Sequence, residues 1–263
     1  MTINIDAAQM AAAETAPGKW AEGRVTAIRR WNEQLFSLQV DATVAPFEAG
    51  QFTKLALDVN GVTLERPYSF VNSPAESPLE FYLIVVPGGP LSGHLAALQP
   101  GASIRVLAHA AGFLTLSEVP EGEKLWLLST GTGIGPFLSI LKTDAPWRRF
   151  KQVVLVHAVR HAADLSYGDT IQRIAQDHSG KFRFIPFVSR EDASFALRAR
   201  IPEAIADGRL QTSAGIELDA DRSQVMLCGN PGMVRDTTDV LTRMGLKKNR
   251  RRESGQITME TYW

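Results

Sequence analysis

Four stretches of this chain combine residue types that could do chemistry. The first is "STGTGIGP", residues 129–136. Gly131 and Gly133 flank Thr132 at the point where an apolar run gives way to a helical one. Glycines there let the backbone approach a ligand, and a helix N-terminus favours an anion. The spacing G-x-G-x-G-P differs from the G-x-G-x-x-G fingerprint, and the same residues also suit an ordinary strand-to-helix turn. The second is a set of cations at the ends of apolar runs. Arg160 follows "VLVHAV", Ser189 and Arg190 follow "FIPFV", and Arg200 opens a helical stretch. Single exposed arginines are commonplace. Three on one sheet edge could grip a phosphate with bidentate hydrogen bonds, which favours a 2′-phosphorylated dinucleotide, NADP(H), over NAD(H). The third is "CGNPGM", with Cys228, Gly229 and Asn230 closing another apolar run. That thiol could sit beside a nicotinamide ring, or it could simply be buried, as free cysteines usually are. The fourth is "RPYSF", where Arg66 could hold a pyrophosphate, Tyr68 stack on a flat ring and Ser69 hydrogen-bond a ring nitrogen. Strand parity puts Arg66 and Tyr68 on one face and Ser69 on the other. An ordinary strand with an exposed arginine reads the same way.

The elements that must position these residues fall into two rhythms. Up to about residue 117, "GRVTAIRRW", "LFSLQVDA", "QFTKLALDV", "RPYSFV", "LEFYLIVV" and "SIRVL" are short, rich in β-branched and aromatic residues and separated by turn residues. They predict a six-stranded antiparallel β-barrel, with one helix at "LSGHLAAL". From about residue 118, apolar strands "KLWLLS", "QVVLVHAV", "FRFIPFV" and "QVMLC" alternate with helical segments, including "DLSYGDTIQRIAQDH" and "GMVRDTTDVLTRMG". That alternation predicts a doubly wound α/β domain with a parallel sheet covered on both faces. The expected division is a lead-in over residues 1–22, a barrel domain over 23–117 and an α/β domain over 118–263.

The totals limit the functional classes. Lys plus Arg and Asp plus Glu are 28 each, so overall charge implies neither a nucleic-acid nor a membrane partner. One cysteine among 263 residues cannot hold an iron–sulfur cluster, which takes about four ligands, and it fits a reducing compartment. No apolar run approaches the ~20 residues of a membrane span, and "MTINIDAAQM" lacks the basic start of a signal peptide. A cytoplasmic monomer is expected. His157 and His161 are four apart, but no acidic partner completes a metal motif; both read as structural or surface residues, and no metal is expected. "KKNRRR" holds Lys247, Lys248, Arg250, Arg251 and Arg252. It is either a solvated face or a docking patch for an acidic partner. The chain ends "METYW", and two terminal aromatics need something to cover them.

Taken together, "RPYSFVNSP", "FYLIVVPGGPLSGHLAALQPG", "STGTGIGPFLSIL", "HAVRHAADLSY", "VSRED", "VMLCGNPGMVRDT" and "ETYW" resemble the ferredoxin/flavodoxin–NADP(H) reductases of the bacterial type, from about Gly23 to Trp263. The resemblance implies non-covalent FAD on the barrel and NADP(H) on the α/β domain. It implies hydride transfer from NADPH to the flavin, then single electrons to ferredoxin or flavodoxin. Arg66, Tyr68 and Ser69 match the flavin set, and Pro90, Leu91 and Ser92 match the segment that wraps the pyrophosphate. Main-chain groups of Ile84 and Val85 match those lining the flavin, with Thr132 between flavin and nicotinamide. Arg160, Arg190 and Arg200 match the 2′-phosphate contacts. Cys228 and Glu260 match the nicotinamide site. Two positions depart from the pattern. Pro67 replaces a common alanine and removes a strand donor. Trp263 extends one residue past the E-x-Y ending of plastid members, so either Tyr262 or Trp263 covers the isoalloxazine, or Trp263 takes the adenine and Tyr262 the ring. Two other roles remain open: the reductase of an oxygenase system working through a separate ferredoxin, and a non-catalytic FAD electron-transfer subunit.

Overall fold

A computed structural model describes residues 19–250 and 252–261. The first half contains β1 (Trp20–Arg30), β2 (Leu35–Asp41), β3 (Phe52–Val59), β4 (Val62–Ser69), β5 (Leu79–Ile84), α1 (Ser92–Ala96) and β6 (Ser103–Leu107). These strands form one antiparallel sheet in the order β4-β3-β6-β1-β2-β5. The sheet curls until its edges meet, at a Phe70–Phe81 bridge and a Val71 N–H to Glu80 carbonyl bond of 2.8 Å. Phe36, Leu38, Phe70, Phe81, Ile104 and Val106 fill the barrel. Strand β4 starts four residues earlier than "RPYSFV" implied. Asn60 and Gly61, at φ 52° and 79°, form a two-residue hairpin turn that continues the ladder from Val59–Val62 to Phe52–Ser69. Pro67 keeps its place opposite Lys54 because β4 is an edge strand with a single neighbour.

The second half contains β7 (Lys124–Thr130), α2 (Gly135–Leu141), α3 (Ala145–Arg149), β8 (Gln152–Val159), α4 (Gly168–Asp177), β9 (Phe182–Val188), α5 (Ile201–Ala206), α6 (Arg209–Ala214), β10 (Ser223–Gly229), α7 (Pro231–Arg243) and β11 (Ile257–Thr261). Its parallel sheet runs β11-β10-β7-β8-β9. The chain moves outward from β7 in one direction and then restarts on the other side with β10. The gap between those crossovers is the switch point at which open α/β sheets bind ligands. One face packs on α5, α6 and α7 through Ile201, Leu210, Val234 and Leu241. The other packs on α2, α3 and α4 through Phe137, Trp147 and Ile171. That second cluster also takes in Leu35, Val71 and Tyr82 of the barrel, so one apolar core joins the two halves.

A polar clasp accompanies that core. The Tyr167 hydroxyl lies 2.5 Å from Ser37 Oγ and donates to Glu80 Oε1 at 2.9 Å. Tyr82 OH lies 2.5 Å from Ser166 Oγ, and Asn32 Nδ2 donates to Asp164 Oδ1 at 3.0 Å. The "DLSY" segment expected to begin a helix is instead a 3-10 turn over Ala162–Asp164 followed by extended chain. Tyr167 adopts φ 61°, and α4 begins only at Gly168. Contacts with the barrel override the local helical pattern. Among the described residues no helix is long and apolar enough to cross a membrane, and no group of three or more His, Cys, Asp or Glu side chains could hold a metal ion.

Candidate functional site

Backbone packing at the switch point builds the site first. Gly131–Ile134 form a 3-10 turn leading directly into α2. A Cβ on Gly133 would stand 2.6 Å from the Cys228 carbonyl oxygen, so only glycine lets this turn press against the end of β10. Gly229, at φ 129°, faces Thr130 with equal closeness: a Cβ there would lie 2.3 Å from Thr130 Oγ1. Thr130 Oγ1 in turn accepts the Asn230 N–H at 2.9 Å. Asn230 caps α7, its Oδ1 accepting from the N–H groups of Gly232 and Met233. The two loops that sequence patterning marked separately are thus one interlocked wall.

A cleft of about 700 Å³ opens beside that wall. Thr130, Gly131, Thr132, Gly229 and Asn230 line it at the ends of β7 and β10, and Arg160, Ser189, Arg190 and Arg200 line it beyond β8 and β9. Gln34, Leu35 and Ile84 of the barrel also line it, so the cleft spans both halves. Among the described residues, none of Arg160, Arg190 and Arg200 is paired with a carboxylate. Their neighbours are: Arg198 with Asp192 at 2.8 Å, and Arg209 with Asp207 at 2.7 Å. Three uncommitted guanidinium groups on one cleft edge suit a phosphate dianion. The donor set and cleft size therefore fit a phosphorylated dinucleotide.

The barrel residues form a second group at the seam. Arg66 is exposed, its Nη1 donating to the Glu65 carbonyl at 2.7 Å. Tyr68 is half-buried on the same strand, and burial pushes its hydroxyl up to about 12. Ser69 is buried and pairs with Phe52. The Phe52 ring stands 3.0 Å from where a Gly112 Cβ would be, and Glu260 Oε1 stands 3.4 Å from the same point. Glu260 pairs in turn with Cys228. Ser69, Glu260 and Cys228 are thus linked by successive contacts across the domain boundary. Glu260 Oε2 is buried without a partner among the described residues, and desolvation pushes this carboxyl up to about 7. A polar flat ring at the seam would supply what that oxygen lacks, so the residues fit a flavin. Cys228 is fully buried, within the apolar cluster that holds Met226 and Ile134. Leu91 and Ser92 are buried at the start of α1, with Ser92 Oγ accepting the Val86 N–H at 2.9 Å; Pro90 beside them is exposed. The Val85 N–H is held by the Gln34 carbonyl at 2.8 Å. Tyr262, Trp263 and Arg251 lie outside the described residues.

Sequence reasoning missed Gln34, Leu35, Asp164, Met233 and Asp236, which also line the cleft. Asp164, Met233 and Asp236 stand within the marked stretches "HAVRHAADLSY" and "VMLCGNPGMVRDT". Gln34 and Leu35 are ordinary residue types brought there by tertiary folding. Of the two readings, structural or surface, His157 takes the first: it is fully buried.

The family model described as "Oxidoreductase FAD-binding domain" matches residues 27–111, and "Oxidoreductase NAD-binding domain" matches 127–239. Barrel, parallel sheet and spanning cleft are therefore those of a two-domain flavin–nicotinamide oxidoreductase. The chain is 51% identical over 245 residues to flavodoxin/ferredoxin–NADP reductases of Shigella flexneri and Escherichia coli (strain K12), covering 93% of this chain and 99% of each relative. A crystal structure of a ferredoxin NADP+ reductase from Neisseria gonorrhoeae with bound FAD and NADP superposes with a TM-score of 0.89. It has 31% identity, over 94% of this chain and all of that one. The chain belongs to the flavodoxin/ferredoxin–NADP reductase family.

Proposed function

We propose that this protein is an FAD-dependent reductase that moves electrons between NADP(H), as hydride, and ferredoxin or flavodoxin, one at a time. The single observation that carries the nucleotide assignment is the trio Arg160, Arg190 and Arg200, without a carboxylate partner among the described residues, in a cleft that the barrel also lines. Bound FAD supplies the two-electron to one-electron conversion, which no side chain of the protein can perform. The protein's own contribution is placement and electrostatics. Residues 23–117 serve as the flavin half. There Arg66 offsets pyrophosphate charge, Tyr68 flanks the ring, and Pro90, Leu91 and Ser92 wrap the phosphates. Ile84 and Val85 offer main-chain groups, and Ser69 donates at the reacting edge of the ring. Residues 118–263 serve as the nucleotide half. Gly131, Thr132, Gly133, Gly229 and Asn230 bring backbone against the dinucleotide, and Ser189 stands with the arginines around its 2′-phosphate. Cys228 and Glu260 bound the place where the nicotinamide must lie, and Tyr262 or Trp263 covers the isoalloxazine. Lys247, Lys248, Arg250, Arg251 and Arg252 form the patch on which an acidic carrier docks. The protein works as a cytoplasmic monomer.

Arg190→Ala tests the assignment. A lost charge-assisted contact to phosphate costs about 1.5–3 kcal/mol, so KM for NADPH should rise roughly tenfold or more. KM for NADH should change little. Equal effects on both coenzymes would place Arg190 elsewhere.

A further inference from the structure

His157 sits in β8, opposite Ser129 of β7 and Pro186 of β9, with no exposed surface. Its Nε2 lies 3.1 Å from the Gly131 carbonyl oxygen. A carbonyl can only accept, so Nε2 carries the proton. Burial pushes the ring down to about 4, so it is neutral and Nδ1 is a bare acceptor. That Nδ1 is buried with no partner among the described residues. Val154, Val156 and Val159 on the same strand bury their side chains without leaving a polar atom unsatisfied. A histidine is the costlier choice at this position, and the contact it gains is the one to Gly131.

The geometry of the peptide unit shows what that contact does. Gly131, at φ 53°, opens the turn beside the cleft. Its carbonyl and the N–H of Thr132 belong to one planar trans peptide and point in opposite directions. With the carbonyl held toward the buried ring, the Thr132 N–H faces away from the sheet, on a residue that lines the cleft. We propose that His157 is a positioning residue for the nucleotide site. By anchoring the Gly131 carbonyl it fixes the Thr132 N–H as a donor to the pyrophosphate–nicotinamide half of NADP(H). It acts from behind the turn and does not touch the ligand. This inference rests on the cleft being the NADP(H) site.

The test uses the FAD-loaded protein with His157→Leu, which removes the donor, and His157→Gln, whose amide N–H restores one at similar reach. Affinities for NADP+ and for 2′-phospho-AMP, which lacks the pyrophosphate–nicotinamide half, are measured by calorimetry. His157→Leu should weaken NADP+ binding roughly five- to tenfold, the size expected for one lost hydrogen bond at an ordered loop. It should leave 2′-phospho-AMP unchanged, and His157→Gln should recover most of the loss. Unchanged NADP+ affinity in His157→Leu, or equal weakening toward both ligands, overturns the proposal. A wild-type protein that binds neither ligand overturns the assignment of the cleft itself, a separable failure. Nitrogen-15 NMR of the wild-type histidines provides a readout independent of binding and of the variants' folding. His157 should be the Nε2–H tautomer, and the Nδ1–H tautomer would overturn the proposal.

Discussion

At the scale of single residues, charge state decides much of what this site can do. Glu260 is the clearest case, because burial without a partner pushes its carboxyl from 4.5 to about 7. The folded-state value lies above the unfolded one. This group's contribution to stability is therefore fully present below about pH 4.5 and is lost as pH rises through about 7. Glu260→Gln should abolish that part of the pH dependence. Relative to wild type it should gain stability between those limits, by on the order of 3 kcal/mol at most, as read by denaturant titrations at several pH values. Parallel stability curves for the two proteins would mean that the carboxylate is solvated. The arginine trio was legible from sequence because Arg160 and Arg190 follow strand ends and Arg200 opens the next helix, and these positions converge at one edge of a doubly wound sheet. His157 was not legible, because nothing in "VLVHAV" distinguishes a buried polar side chain from one at a strand terminus. Its partner is a backbone carbonyl, which carries no residue identity.

At the scale of elements, runs bounded by clear turns matched the structure closely. Strands β6, β8 and β9 occupy the stretches "SIRVL", "QVVLVHAV" and "FRFIPFV". The misses have physical causes. Helices α3 and α6 are five and six residues long, too short for a 3.6-residue period to register. Strand β11 is five residues long, too short for its alternation to stand out alone, and it is a strand because β10 pairs with it. The "DLSY" segment reads as helix but is pulled straight by the barrel. Tyr167 holds a left-handed backbone, which costs a non-glycine residue on the order of 1 kcal/mol or more, and its hydroxyl reaches both Ser37 and Glu80. Tyr167→Phe keeps the ring and strips the hydroxyl from the clasp. The variant should lose about 1–2 kcal/mol of unfolding free energy, seen as a lower denaturant midpoint with an unchanged slope. Flavin binding should persist, because the clasp stands apart from the Arg66–Ser69 strand. An unchanged midpoint would show that the apolar core alone holds the halves together.

At the scale of the whole molecule, function follows from placing two half-sites across one boundary. The barrel carries the Arg66–Ser69 strand, and the parallel sheet carries the glycine wall and the unpaired arginines. The shared apolar cluster fixes the distance between them. The function therefore requires electrons to cross from nucleotide to flavin at that boundary. The most direct measurement is anaerobic mixing of the purified, FAD-reconstituted protein with NADPH or NADH in a stopped-flow spectrophotometer, following bleaching of the flavin band. NADPH should bleach the band rapidly, and NADH at equal concentration much more slowly. A protein that takes up no FAD, or whose flavin stays oxidised with NADPH, would contradict the proposed function.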